Sequence, residues 1–267
     1  MKKMIQDCWD QFQLMKSCPF ILKDSMPILW FGDLNSYFKS EKRIVTVGIN
    51  PSDIEFKDNK GRLCSVNYRF PKVKKLLHKT KLSFKDIDDY IESLNYYFKN
   101  KDPYGKLTYY AKWFSSYENA LNALDASYFT GEKNRTAIHI DLCTPVATSK
   151  KWGDLTNYER TCLMKNSGVD FNHLLNKLEA EVIIASLNKD YIKQFKDSKG
   201  SPCTKSNADS DIKINSVAFI RSFSLNNNRI LIWARNSRTP LGYMSYCDAK
   251  KGISIIKTNY IKKGIII

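Results

Sequence analysis

The chain has 267 residues with 43% hydrophobic and 13% aromatic content, enough to build one large α/β domain or two small ones. No segment reaches the roughly 18 apolar residues of a membrane span, and the opening MKKMIQDCWDQFQLMK lacks the apolar centre of a secretory signal. A net charge of +16 points to a polyanionic partner, nucleic acid first. Seven cysteines, an odd count with no CxxC spacing, predict reduced thiols in a cytoplasmic protein and argue against a zinc or iron–sulfur framework.

Residues 1–20 predict an amphipathic helix with Ile5, Trp9, Phe12 and Met15 on one face, opening an N-terminal helical extension over 1–27. Pro27 to Gly32 is a loop of large apolar side chains expected to pack on the first strand, with the lining of a pocket as the alternative. That strand is Ile44–Gly48, apolar, β-branched and uncharged. The chain then breaks at Gly48-Ile49-Asn50-Pro51-Ser52, which puts Asn50 at the carboxyl edge of a sheet, where open α/β sheets bind ligands. Residues 53–71 form a long polar loop, with Asp53 and Glu55 close behind Asn50 and with Tyr68, Phe70 and Pro71 at its end.

A short basic helix follows at Lys72–Lys79. The next, Ser83–Lys99, opens with a Ser83/Asp86 capping box and buries Ile87, Ile91, Leu94 and Phe98. Tyr109–Leu124 predicts a helix that buries Trp113, Phe114, Ala120, Leu121 and Leu124. Thr136–Cys143 is the second strong strand, with Asp141 near its carboxyl end and His139 on the same face. Trp152 lies in a polar loop. Val169–Leu178 is helical, Glu181–Ser186 is a strand, Lys189–Phe195 is a helix, and 197–211 is a mobile loop. Ile214–Ile220 and Arg229–Ala234 read as strands, Arg235–Gly242 as a basic loop, and Ile253–Ile256 and Ile265–Ile267 as edge strands. Strands alternating with helices predict a single domain over 1–267, a three-layer α/β/α sandwich with a central, mainly parallel sheet.

GINPS, residues 48–52, is similar to the GINPG motif in the mismatch-specific branch of the uracil-DNA glycosylase superfamily. The strand ending at Asp141 falls where that superfamily places its base-reading residue. RNSRTPLG, residues 235–242, sits where it carries a second motif, although the histidine of that motif is absent. These stretches run in order across residues 28–242. The resemblance implies a glycosylase-like domain that hydrolyses an N-glycosidic bond in double- or single-stranded DNA, with no metal and no cofactor. No membrane and no obligate protein partner is expected.

Such an enzyme extrudes its base, holds it, and lets water capture an oxocarbenium-like sugar. The resemblance implies that Asn50 positions that water and that Asp53, or Glu55, supplies negative charge near the developing cation. It assigns Ile49 and the stacking ring of Phe70, with Tyr68 as the alternative, to the base. Arg235, Asn236 and Arg238 are assigned to DNA contact, and Leu241 to the wedge that fills the vacated stack. Asn236 or His139 stands in for the missing histidine.

Asp141 departs from the asparagine of uracil-reading members. An ionised carboxylate only accepts hydrogen bonds, so it suits the N4 amino group of cytosine. Against uracil O4 it faces an unpaired acceptor, at about 1–3 kcal/mol. The expected substrate is therefore a 5-modified cytosine, such as a glucosylated hydroxymethyl form, and the expected role is defence against bacteriophages with hypermodified DNA. The rival readings are a conventional repair glycosylase for uracil, xanthine or mismatched bases, a DNA-binding sensor without catalysis, and a nucleotide-processing enzyme acting on free substrates, which the charge of +16 disfavours.

Overall fold

The computed structural model describes residues 1–57, 69–102, 104–236, 239–242 and 244–267. In chain order they form α1 (Lys2–Met15), α2 (Leu34–Lys39), β1 (Ile44–Gly48), α3 (Phe84–Asn95), α4 (Ala111–Asn122), β2 (Ala126–Ser127), β3 (Arg135–Thr136) and β4 (Ile138–Asp141). There follow α5 (Asn157–Lys165), α6 (Phe171–Lys177), β5 (Val182–Ser186), α7 (Lys189–Ile192), β6 (Ser210–Lys213), β7 (Phe219–Ser224), β8 (Ile230–Ala234) and α8 (Tyr246–Lys262). No helix among the described residues is long and apolar enough to cross a membrane.

The fold is α/β with a mainly parallel six-stranded sheet, ordered β4-β1-β5-β8-β7-β6. Strands β1, β5 and β8 run parallel, with Ile44 beside Val182 and Val182 beside Ile230. β7 runs antiparallel to β8 and β6 antiparallel to β7, so β6 points the same way as β8. Every residue of β1, β5 and β8 is buried. Their sequences, IVTVG, VIIAS and ILIWA, show the continuous apolar run of strands covered on both faces, without the polar alternation of a half-solvated sheet.

The described residues divide into two compact units, each assembled from three stretches of chain. The first comprises Met1–Leu34, Ile49–Tyr110 and His139–Leu178. Here α1 buries Met4, Ile5, Cys8, Trp9, Phe12 and Met15. Its Trp9 indole donates to the Lys79 carbonyl at 3.1 Å and meets the Tyr90 ring edge-on. Helix α3 opens with the expected Ser83/Asp86 capping box. The second unit comprises Asn35–Gly48, Ala111–Ile138 and Glu179–Ile267. In it the Tyr117 hydroxyl donates to the Val47 carbonyl at 2.6 Å, and the Thr46 and Tyr128 hydroxyls bond to each other.

Several elements differ from expectation. Ile214–Ala218 is a hairpin corner, because the Asn215 carboxamide oxygen accepts from the Val217 and Ala218 amides and turns the chain between β6 and β7; of the expected strand over Ile214–Ile220, only Phe219 and Ile220 lie in β7. Ile253–Ile256 belongs to helix α8, which Ser245 and Asp248 cap and which buries Ala249, Ile253, Ile256 and Tyr260 at helical spacing. Ile265–Ile267 joins no strand. The basic stretch Lys72–Lys79 contains only a 3-10 turn, Lys74–Leu76. Helix α5 lies in the expected polar loop after Trp152, and its signal is the Thr156/Glu159 capping box. Within 197–211, the Asp197 carboxylate accepts from the Lys199 and Ser201 amides and from Asn207, and Ser210 and Asp211 begin β6.

Gly168 holds a φ of +72°, and a Cβ there would lie 2.6 Å from the Cys8 Cα and 2.7 Å from the Asp7 carbonyl oxygen. Both the backbone strain and the clash with α1 oppose any side chain. Gly168→Ala is expected to destabilise the protein by about 2 kcal/mol or more, read as a lower urea midpoint at unchanged slope.

Candidate functional site

The candidate site lies in the first unit and starts where β1 ends. The half-buried Ile49 accepts the Cys143 amide at 2.9 Å through its carbonyl, which ties the turn to the residues just after β4. Asn50 is half-buried, and its Nδ2 donates to the Pro51 carbonyl at 2.9 Å and to Thr148 Oγ1 at 3.2 Å. The Thr148 hydroxyl gives its own proton to the Lys150 carbonyl at 2.7 Å, so it meets Asn50 as an acceptor. Both amide hydrogens of Asn50 are thereby engaged and its orientation is set. Its Oδ1 has no hydrogen-bond partner among the described residues.

Ser52 then caps a 3-10 turn, Asp53–Phe56, by accepting the Ile54 amide. The turn gives its two acids different surroundings. Asp53 is partly exposed and pairs with Lys57, and the Ser52 hydroxyl donates to it at 3.2 Å. Glu55 is only 4% exposed. Its Oε2 accepts the Tyr97 hydroxyl at 2.5 Å and lies 3.4 Å from Arg69 Nη1. Burial pushes the Glu55 carboxyl up to about 7, against the pull of Arg69 and Tyr97, and the nearby Asp141 adds to the rise.

Arg69 is buried and also donates to the Ile54 and Thr108 carbonyls. The Tyr97 hydroxyl accepts the Tyr110 amide at 3.0 Å. The Tyr97 ring stacks on Phe70 with centroids 5.5 Å apart and meets Phe31 edge-on at 4.8 Å. Phe31 bridges to His139 through two backbone hydrogen bonds of 2.8 and 3.0 Å, with its ring 5.5 Å from the imidazole. The side chains of His139 and Asp141 are 2% and 3% exposed, and Nε2 lies 3.6 Å from Asp141 Oδ1, too far for a hydrogen bond. Asp141 Oδ2 is buried and has no hydrogen-bond partner among the described residues. Burial pushes this carboxyl above the usual carboxylate range, and His139 partly offsets that.

The structure therefore brings Ile49, Asn50, Asp53, Phe70 and Asp141 into one unit. Between the two acids near Asn50 it separates a surface ion pair, Asp53, from a buried and desolvated group, Glu55. Phe70 has no exposure; stacked on Tyr97 and tilted against Phe56, its ring serves the aromatic core and is no open stacking platform. In the second unit, Arg235 is exposed and lines a cleft of about 400 Å³ with Val217, Ala218, Phe219 and Gly242, and Asn236 is half-buried. Leu241 is 3% exposed at a φ of +57°, with its amide donating to Ser186 Oγ at 2.8 Å, so it does not protrude as a wedge. Tyr68 and Arg238 lie outside the described residues.

Sequence reasoning missed Arg69, Tyr97 and Thr148. Tyr97 carried a signal, as a tyrosine beside the apolar stripe of α3. Thr148 carried none. Compared with models of known protein families, with curated proteins and with solved structures, the chain matches none.

The raised Glu55 carboxyl couples stability to pH. Between its ordinary value of 4.5 and about 7 the folded protein holds a proton that the unfolded chain has released. This contribution is fully present below 4.5 and is lost as pH rises through 7, with Asp141 adding in the same direction. Urea unfolding is expected to show stability falling by on the order of 3 kcal/mol from pH 5 to pH 8. Glu55→Gln should flatten that slope.

Proposed function

We propose that the protein is a monofunctional DNA glycosylase that hydrolyses the N-glycosidic bond of a flipped, 5-modified cytosine and leaves an abasic site. The observation that carries this reading is the Asp141 carboxylate, buried at the end of β4 with Oδ2 lacking a donor among the described residues. A buried acceptor left unpaired costs about 1–3 kcal/mol, and a ligand with an amino hydrogen removes that cost. Cytosine offers that hydrogen at N4, whereas uracil presents an acceptor there.

The attacking water sits on Asn50 Oδ1, the free end of an amide whose nitrogen is already bonded to Pro51 and Thr148. As the C1′–N1 bond opens, the sugar becomes cationic, and an acid close behind Asn50, Asp53 or Glu55, supplies negative charge beside it. The exposed Arg235, with Asn236 and Arg238, contacts phosphates, in keeping with the net charge of +16. The wider reading is a three-layer, glycosylase-like sandwich acting in the cytoplasm against phage DNA. A second reading, a non-catalytic DNA sensor, is favoured by the burial of Phe70 and Leu241.

Duplex and single-stranded oligonucleotides carrying uracil, cytosine, 5-hydroxymethylcytosine or its glucosylated form test this, with abasic sites scored by alkaline cleavage. Cleavage is expected at a modified cytosine alone, slowed about 10²-fold or more in Asn50→Ala. Asp141→Asn should lose that base and gain uracil. Uracil cleavage by the unaltered protein would overturn the specificity; tight DNA binding without cleavage of any base would favour the sensor.

A further inference from the structure

A second place for a ligand lies wholly within the second unit, where β8 ends. Arg235 follows the last residue of that strand, and α/β sheets place their ligands at the carboxyl ends of parallel strands. The β7–β8 register pairs Ile220 with Ala234, so Phe219 comes opposite Arg235 one step further on. The β6–β7 register pairs Phe219 with Lys213. Opposite residues share a sheet face about 5 Å apart, which lines up Lys213, Phe219 and Arg235 across three strands. The next row on that face is Asp211, Arg221 and Trp233, so the two rows carry three cations against one acid. Helix α8 packs on the other face, where a Cβ on Gly252 would lie 2.5 Å from the Ile220 side chain. Lys213 and Arg235 are exposed, and the half-buried Phe219 lines the cleft of about 400 Å³ with Val217, Ala218, Arg235 and Gly242. The Phe219 ring is already held in place. Arg221 Cζ lies 4.0 Å from its centroid, the Trp233 ring tilts against it at 5.3 Å, and Arg221 Nε donates to Asp211 Oδ1 at 2.9 Å.

We propose that this cleft holds one unpaired nucleotide of single-stranded DNA, with its base against the Phe219 ring, its phosphate on Arg235 and Lys213 on the backbone beside it. The volume falls in the range of small-ligand sites, about 300–1,000 Å³. The apolar side, Val217, Ala218 and Phe219, suits the flat face of a base, and the guanidinium suits an anion carried on the same ligand. A ring that is already fixed loses little freedom when a base stacks on it. The base must be unpaired, because the face of a base inside a duplex is covered by its neighbours in the stack. A strand fits better than a free nucleotide, since Lys213 lies in the same row as Arg235 and can take a neighbouring phosphate. The choice of DNA over RNA rests on the glycosylase reading above. The cleft is separate from Asn50 and Asp141, which belong to the first unit, and the nucleotide it holds is not the one excised.

Binding of a labelled oligothymidine, followed by fluorescence anisotropy over a range of salt, tests this. The matching duplex, the corresponding oligouridine and free thymidine monophosphate are the other arms. Phe219→Ala is expected to weaken single-strand binding about tenfold at unchanged salt slope, and to leave the duplex within about twofold. Arg235→Gln should weaken the single strand and lower its log–log salt slope by about 0.7, the share of one phosphate. Lys251→Gln removes an exposed charge from α8 and should change single-strand affinity by less than about twofold. Equal losses from Phe219→Ala on strand and duplex, no loss from either cleft variant, or tighter binding of the RNA or the free nucleotide than of the DNA strand would overturn the proposal. Phe219→Leu, which keeps apolar bulk without an aromatic face, takes the place of Phe219→Ala if that variant does not fold. Excision, scored separately, tells the two readings apart. A protein that binds DNA through this cleft and cuts no base sinks the glycosylase reading alone. Excision that persists while both cleft variants bind normally sinks this proposal alone, and failure to bind any nucleic acid sinks both.

Discussion

The candidate site depends on the burial of one guanidinium. Arg69 donates to the Ile54 carbonyl within the 3-10 turn, to the Thr108 carbonyl just before α4, and to Glu55. The Thr108 carbonyl and the Glu55 carboxylate are buried and the Ile54 carbonyl partly so, and a buried acceptor left unpaired costs more than a made hydrogen bond returns. Without this cation two backbone carbonyls and a carboxylate would be stranded together, the arrangement most damaging to a buried polar network. Its fixed fork sets the position of Glu55, Glu55 sets the Tyr97 hydroxyl, and the Tyr97 ring locks Phe70 and Phe31.

The network is satisfied at one end and open at the other. Glu55 Oε2 accepts from both the Tyr97 hydroxyl and Arg69 Nη1. At Asp141, His139 Nε2 stands 3.6 Å from Oδ1, and Oδ2 has no hydrogen-bond partner among the described residues. Proteins seldom leave such a group unpaired without a use for it. Asn50 shows the same asymmetry on a smaller scale, with its nitrogen committed and its oxygen open. Both openings, among the described residues, are acceptors.

The parallel strands were legible because their signal is local. IVTVG, VIIAS and ILIWA hold no charge, and nothing but burial suits them. Asn50 follows such a strand, and Asp141 closes β4, so the sequence placed both at strand ends. The later elements were harder for equally local reasons. The Asn215 side chain turned an apolar stretch into a corner, and the Ser245/Asp248 cap made a helix of isoleucines whose β-branching suggested strand. Glu55 and Asp53 could not be told apart, since they sit two residues apart in equally polar sequence. What separates them is Tyr97, 42 residues further along the chain. Burial imposed by a distant side chain leaves no trace in the neighbouring sequence. The same holds for Phe70 and Leu241, whose types suited an exposed role and whose surroundings give them an interior one.

The interleaving of the two units bears on how the protein emerges from the ribosome. The last stretch of the first unit ends at Leu178, and the last stretch of the second begins at Glu179. The nascent chain therefore holds every piece of the first unit before β5 has been made. During that interval β1, the most apolar strand of the early sequence, has no partner on the side where β5 will pair. An unpaired, uncharged strand edge of this kind is what chaperones that guard nascent chains bind, and what aggregates when they are scarce. The gene therefore cannot be cut into two contiguous pieces that each encode one whole unit.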